Sequence, residues 1–404
     1  MKKVLEGIRV LDFTERVQGP FASQILGDLG ADVIKVERVN PKTPDGRSDE
    51  RYLDGSELPT LYSATFLANN RNKRSIAINL KDPEGIAIVH QLVATSDVLC
   101  ENFRPGVMNR LGLGYEKCLT LNEKIIYLSS TGYGSKGPYS EMPGQDLLAQ
   151  AISGMGQMNL SASGHPQPVG MSITDLLGGI YGALAVVSAI LHRNQTQEGQ
   201  LVEVDLLSSA ISVLNEHAVH FLNNENVGEP QRLTEMHGHG YIPPPYGFYK
   251  TSDGHVALAG GSQIPELCKI LGTENLLDNE KFATYQDRLL NRVEMEQVLE
   301  KALQKRSTSE WMQFFKTADI FAAPVNTFSQ AFENKQVEYQ NLIVETENAG
   351  SKIKLVAPAI KMSKTPLKVR MAPPRHGEHT KQILNEMGFD DQEIEMKMER
   401  GSVA

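Results

Sequence analysis

Residues 8–36 read as a strand, a helix and a second strand, and no other stretch restricts the fold as much. Ile8-Arg-Val-Leu-Asp-Phe13 is a short β-rich run, Gly19-Pro20 breaks it, and 21–29 carries helical apolar spacing. Gly30 stops that helix, and Asp32-Val-Ile-Lys-Val36 is again strand-like. A right-handed crossover makes two such strands parallel neighbours. The alternation continues with 75–80 as a strand, 83–95 as a helix, 98–101 as a strand and 125–130 as another. The first 150 residues are therefore predicted to form an α/β, Rossmann-like, doubly wound parallel sheet.

A chain of 404 residues exceeds one ordinary core, so a second domain is expected. Residues 176–191 form a wholly uncharged run of apolar or small residues, fenced by Asp175 and His192-Arg193. It falls short of the ~20 residues that a bilayer requires, which predicts a buried core helix and no membrane partner. Beyond it, 200–204 returns to strand character and 206–222 to helix. Residues 223–245 are polar and rich in Gly and Pro, with Asn223-Asn224 and Pro243-Pro-Pro245, and read as a linker. A hairpin is predicted from 246–250 and 255–259 across Thr251-Ser-Asp-Gly254, then Gly260-Gly261, then helices through 285–317. The expected organisation is a large domain over 1–222 and a linker with a smaller α+β domain over 223–334.

The net charge of −9 argues against a general nucleic-acid binder, whose affinity rests on a basic surface. Cys100, Cys118 and Cys268 are widely spaced and odd in number, which fits a reducing cytoplasm. Glu6 and Arg9 interrupt any apolar core of a leader at the amino end, which argues against secretion.

Against this acidic background Arg38, Arg71, Lys73, Arg74, Arg104, Arg110 and Lys136 gather in the first third, at or just beyond predicted strand ends. Open α/β sheets hold ligands there, and Arg forks with Lys point charges suit a polyphosphate. The residues alone leave a phosphate site and ordinary solvated surface both open. Asp175, in Gly170-Met-Ser-Ile-Thr-Asp-Leu-Leu-Gly-Gly179, opens the long apolar helix. An acid in that position either caps exposed amides or serves as a nucleophile that the helix end keeps ionised near neutral pH. A nicotinamide site is excluded by the turn Phe13-Thr-Glu-Arg-Val-Gln-Gly-Pro20, which lacks Gly-x-Gly-x-x-Gly although Glu37 ends the second strand. Glu216-His217 with His220, and His237-Gly-His239, supply no third ligand at metal spacing and read as a helix pair and a loop pair, so no metal is expected. No Gly-x-Ser-x-Gly elbow is present.

Several runs in order resemble the class III (CaiB/BaiF-type, formyl-CoA transferase-like) coenzyme A transferases. They are Leu11-Asp-Phe-Thr14 with Gly19-Pro20, Leu29-Gly-Ala-Asp-Val-Ile-Lys-Val-Glu37, Asn72-Lys-Arg-Ser75, Glu101-Asn-Phe-Arg-Pro-Gly106 and Gly132-Tyr-Gly-Ser-Lys-Gly-Pro138. Gly144-Gln-Asp146, Asp175, Gly199-Gln200, Ala323-Pro-Val325 and Pro374-Arg-His-Gly-Glu-His-Thr380 extend the match nearly end to end. The resemblance implies coenzyme A as the polyphosphate ligand, held by Arg38, Lys73, Arg74, Arg104, Arg110 and Lys136, with Asn102 and Phe103 beside pantetheine and adenine, and Val17 and Asp146 in the same set. It implies Asp175 as catalytic nucleophile, Gln18 as an orienting group for the acyl moiety, and Gly260-Gly261 as a glycine loop over the intermediate. The implied substrates are an acyl-CoA and a small carboxylic acid, with no permanently bound cofactor.

The α-methylacyl-CoA racemases share this resemblance but use a His in a Gly-His-Asp run. Here that run is Gly144-Gln145-Asp146, and Gln145 can act neither as acid nor as base. Family members form interlocked homodimers in which both chain ends build the large domain. The resemblance therefore implies that 335–404 returns to pack on the first domain. His237, His239 and Tyr241 read either as turn residues or as part of an acceptor site.

Overall fold

A computed structural model describes residues 2–39, 63–161, 163–223, 238–348 and 351–404. Strand β1 (Arg9–Asp12), helix α1 (Gln18–Asp28) and strand β2 (Asp32–Glu37) form the expected βαβ unit, with β1 and β2 parallel. Helix α2 (Ala64–Asn69) precedes β3 (Lys73–Ala77), and α3 (Pro83–Ala94) leads to β4 (Val98–Glu101). Short helices α4 (Val107–Arg110) and α5 (Tyr115–Leu121) precede β5 (Ile126–Thr131). Helices α6 (Asp146–Ile152) and α7 (Ile173–Thr196), strand β6 (Gln200–Asp205) and α8 (Leu206–Val213) follow.

All neighbouring strands of this sheet run parallel, in the order β3-β2-β1-β4-β5-β6. That is the doubly wound order, and its winding reverses between β1 and β4. Crossovers leave in opposite directions there, which opens a crevice beyond the strands' carboxyl ends.

The strands are apolar on both sides because both faces are covered. On one face Val10, Val33, Val98, Cys100, Ile126 and Leu128 pack with Ala22 and Leu26 of α1 and Ala183, Val186 and Ile190 of α7. On the other, Leu11, Ile34, Ile76 and Leu99 meet Ile88, Val89 and Leu92 of α3, together with Ile383, Leu384 and Ile394. Those last three come from helices Thr380–Glu386 and Asp391–Glu399, and Val403 bridges to Ile78 beside the sheet edge. The long helix α7 meets the length and apolarity of a membrane span, yet it packs here on α1 through Gly178, Gly179 and Gly182. A Cβ on Gly179 would stand 2.9 Å from the Gln18 carbonyl oxygen, so glycine sets how closely the two helices approach.

Contacts divide the chain into two units, one of 1–153, 170–214 and 336–404, the other of 154–169 and 215–335. The division falls at 214/215 rather than at 222/223, because the run read as one helix over 206–222 is interrupted after α8 and resumes as α9 (Asn215–Leu222) in the second unit. Residues 154–169, read with the large domain, also belong to the second unit.

The second unit carries the antiparallel hairpin β7 (Tyr246–Lys250) and β8 (His255–Ala259), with β9 (Ala322–Pro324) added to β8. Its core joins Tyr249, Val256, Leu258, Leu267, Leu299, Trp311 and Phe315. A further hairpin in the first unit, β10 (Ile343–Asn348) with β11 (Ser351–Val356), buries Ile353 and Leu355 against Phe66 and Leu67 of α2.

Candidate active site

Beyond the carboxyl ends of β1 and β4 lies a cavity of about 570 Å³, bounded entirely by the first unit. Its walls are the turns after β1 (15–18), β4 (102–105) and β5 (130–133) and the amino ends of α6 and α7. Asn102 locks the first two turns together. It accepts a hydrogen bond from the Glu15 amide at 2.8 Å and donates to the Glu15 carbonyl at 2.8 Å. Glu101 supports the second turn by accepting from the Phe103 amide at 2.9 Å and from Ser129 Oγ; burial pushes its pKa up to about 7. Gly132 and Gly144 let two wall segments touch, since a Cβ on Gly132 would lie 2.5 Å from the Gly144 Cα.

Three buried polar atoms on this wall, Gln18 Nε2, Ser130 Oγ and Tyr133 OH, have no hydrogen-bond partner among the described residues. Buried polar atoms left without partners are rare, which sets these three apart on the wall. Val17, the N-cap residue of α1, also lines the wall and gives the helix no side-chain cap.

Asp175 sits in the first turn of α7 and faces this cavity. The cap reading of Asp175 fails because another residue does that work. Asp146 Oδ1, from α6, accepts from the Thr174 amide at 2.7 Å, from Thr174 Oγ1 at 2.7 Å and from the Asp175 amide at 3.3 Å. The Asp175 carboxylate itself accepts no hydrogen bond from any described residue. The expectation that the helix end keeps it ionised is corrected too. Burial, and then the Asp146 carboxylate, push its pKa up to about 7, so it is only partly ionised near neutral pH. Asp146, expected to contact coenzyme A, has both oxygens in use, because Oδ2 accepts from Gln150 Nε2 at 2.6 Å. Gln145 lines the wall next to it as a neutral amide.

The basic cluster divides into fold and site. Lys73 is fully buried, and Nζ donates to Asp12 Oδ2 at 2.8 Å, the Pro20 carbonyl at 2.9 Å and Asn70 Oδ1 at 2.9 Å. An ammonium has three hydrogens, so none is left for a phosphate. Arg71 grips Asp28 through Nε at 3.0 Å and Nη2 at 2.6 Å. Arg74 grips Asp32 in the same bidentate way, at 2.9 and 2.6 Å, and reaches Glu386 at 2.8 Å. The expected ligand roles of Lys73 and Arg74 are thus replaced by ion pairs that tie β3 to its neighbours. Arg110 lines a different groove, with Lys81, Asp82 and His90, and Lys136 is exposed outside the cavity wall. Arg104 does line the cavity, beside Phe103. Exposed Arg38 pairs with Glu15 of the wall at 3.1 Å.

Asn102, besides clamping the two turns, lies on the cavity wall next to Phe103. Sequence reasoning missed Arg16, Ser130 and Tyr133. Arg16 carried a readable signal, since it lies in the β1 to α1 turn at the reversal of winding, where its backbone adopts φ 70°.

In the second unit Gly260 and Gly261 follow β8, and a Cβ on Gly261 would meet nothing within 4 Å. The helix and loop histidines, read as separate pairs, come together. His217 stacks on His239 at 5.8 Å, and Tyr241 packs edge-on to His217 at 4.7 Å and tilted against His220 at 5.9 Å. His237 lies outside the described residues. Among the described residues no group of His, Cys, Asp and Glu is placed to hold a metal.

The profile of CoA-transferase family III matches residues 5–380. The chain belongs to CoA-transferase family III. This CoA-transferase is 36% identical over 405 residues to the succinyl-CoA:glutarate CoA-transferase of Homo sapiens, covering 99% of this chain and 90% of that protein. It is 36% identical over 394 residues to the succinate–glutarate CoA-transferase of Agrobacterium fabrum, covering 96% of each. Its structure matches that of a CAIB/BAIF family protein from Brucella suis with a TM-score of 0.85 at 30% identity, covering 96% of this chain and 100% of that one.

Proposed function

We propose that this CoA-transferase moves coenzyme A from an acyl-CoA to a carboxylic acid through Asp175. The observation that carries the proposal is a carboxylate on the wall of the cavity that no fold contact engages. The ionised carboxylate attacks the thioester carbonyl, giving a mixed anhydride and CoA thiolate. The thiolate attacks the aspartyl carbonyl, releasing the donor acid and leaving an aspartyl-CoA thioester. An acceptor carboxylate displaces the thiolate to form a second anhydride. The thiolate then takes the acceptor's acyl carbon and frees Asp175.

Burial and the Asp146 charge penalise the anionic carboxylate and do not penalise its neutral acyl derivatives, which favours the acylated forms. The donors of Gln18, Ser130 and Tyr133 suit the oxygens of the anhydrides, and Arg104 with Arg38 suits the coenzyme's phosphates. Gly260 and Gly261 are assigned to a loop that excludes water from the anhydrides, on the family resemblance.

We infer C4 and C5 dicarboxylic acids as donor and acceptor acids, since both relatives at 36% identity are named for succinate and glutarate. A homodimer is part of the proposal, supported by exposed apolar Leu147, Ile180, Leu184, Leu191 and Ile211 on α6, α7 and α8. Asp175→Ala tests the mechanism with succinyl-CoA and isotopically labelled glutarate. Transfer should vanish while CoA affinity stays within about twofold, because the phosphate contacts are untouched. Turnover by the variant discards the nucleophile.

A further inference from the structure

The hydrogen bonds at the start of α7 can be followed group by group. A helix leaves its first four amides without intrahelical partners. Here the Ile173 amide donates to the Met171 carbonyl at 2.8 Å, and the Leu176 amide to the Ser172 carbonyl at 3.1 Å. The Thr174 and Asp175 amides go to a side chain from another element, Asp146 Oδ1. The N-cap residue Ser172 makes no side-chain cap. Asp146 is in turn held from the other side by Gln150, which is 1% exposed and whose Nε2 lies 2.6 Å from Oδ2.

We propose that Asp146 is the positioning residue for the Asp175 nucleophile, an assignment that rests on the function proposed above. By capping α7 from α6 it takes the duty that an acid in the first turn of a helix ordinarily performs, and so leaves the Asp175 carboxylate unbonded and open to a thioester. It also fixes the Asp175 backbone directly, so that the rotamers of the nucleophile start from one place. Its second effect is electrical. A carboxylate held beside Asp175 by its own cap bonds raises the cost of ionising Asp175, so one side chain sets both the place and the basicity of its neighbour. The other ionisable groups on the cavity wall, Glu15, Arg16, Arg104 and Tyr133, lie on the β1, β4 and β5 turns and none of them caps the helix.

Asp146→Ala and Asp146→Asn separate the two effects, with Asp175→Ala alongside. In Asp146→Ala the peptide spanning 172–177 should exchange its amide hydrogens about fivefold faster or more, as for a lost cap. Its kcat should fall on the order of tenfold or more, with KM for the acyl-CoA nearly unchanged, as for a misplaced reacting group. Asp146→Asn keeps an acceptor for the Thr174 amide, so exchange and kcat should recover. The rising limb of its kcat against pH should move to lower pH, because the neighbouring charge is gone. Wild-type kcat in Asp146→Ala, or an unmoved limb in Asp146→Asn, with Asp175→Ala inactive in the same assay, overturns the positioning role alone. An active Asp175→Ala overturns the nucleophile beneath it. Should Asp146→Ala fail to fold, the pH limb of Asp146→Asn decides.

Discussion

Replacing Asp175 by Asn should stabilise the protein, and only at the pH where the enzyme has its carboxylate charged. The carboxyl pKa is raised from 3.8 to about 7, by burial first and by Asp146 second. A group whose folded pKa lies above its unfolded value is favoured folded while protonated, and that advantage disappears as pH rises through the folded pKa. At pH 8 the native state therefore carries the full penalty, which for a rise of this size is about 4 kcal/mol. Solvent at the cavity wall screens part of it, leaving about 2–3 kcal/mol. Asn is nearly isosteric and never ionises, so at pH 8 it should recover that amount. At about 2–4 °C per kcal/mol for a unit of this size, the apparent melting temperature should rise by roughly 5–10 °C. At pH 4 the carboxyl is neutral in the folded protein, and the difference should shrink to within about 2 °C. Calorimetric scans of wild type and Asp175→Asn across pH 4 to 8, at one scan rate, measure both. Equal melting temperatures at pH 8, or a gain that does not change with pH, refutes the account of a strained nucleophile.

Lys73→Met should destabilise by about 3–5 kcal/mol, since Asp12 is left buried without its cation, and urea unfolding should register the loss. Adding Asp12→Asn to it should return part of that stability, because the uncompensated charge is removed. Arg104→Ala should leave the urea midpoint unchanged and weaken CoA binding about tenfold or more in calorimetric titration, the effect of losing a charge-assisted phosphate contact. Gly132→Ala should lower both stability, by about 1–3 kcal/mol, and transfer activity, because its Cβ would fall 2.5 Å from the Gly144 backbone on the cavity wall. An unchanged melt of that variant contradicts the close approach.

The alternation of strand and helix in the first 130 residues was legible because apolar period, Gly30 and the β-rich runs are local signals. The reversal of winding between β1 and β4 also follows from that alternation, once the order of strands is known. The basic cluster misled for a physical reason. Lys73 looks like surface in Asn72-Lys-Arg-Ser75, and only the folded packing shows that its ammonium reaches Asp12, which lies 61 residues earlier and two strands away. The same holds for Arg74 and Glu386, 312 residues apart. Ion pairs across the fold leave no periodic trace in a single sequence. Asp146 and Thr174, 28 residues apart, belong to the same class. The Asp175 position was readable from its place at the head of an apolar helix, whereas its environment depended on a residue that the family resemblance had placed elsewhere.

The first unit is assembled from three separate stretches, with the second unit spliced in twice between them. One face of its sheet, already met by α3, is only part covered until residues 380–403 arrive and complete the packing around Ile76 and Ile78. During synthesis a ribosome must release residues 206–379, well over a third of the chain, after β6 before that cover is complete. A nascent chain stalled in this interval offers chaperones a ready handle, and a fragment cut after 214 inherits the same open wound.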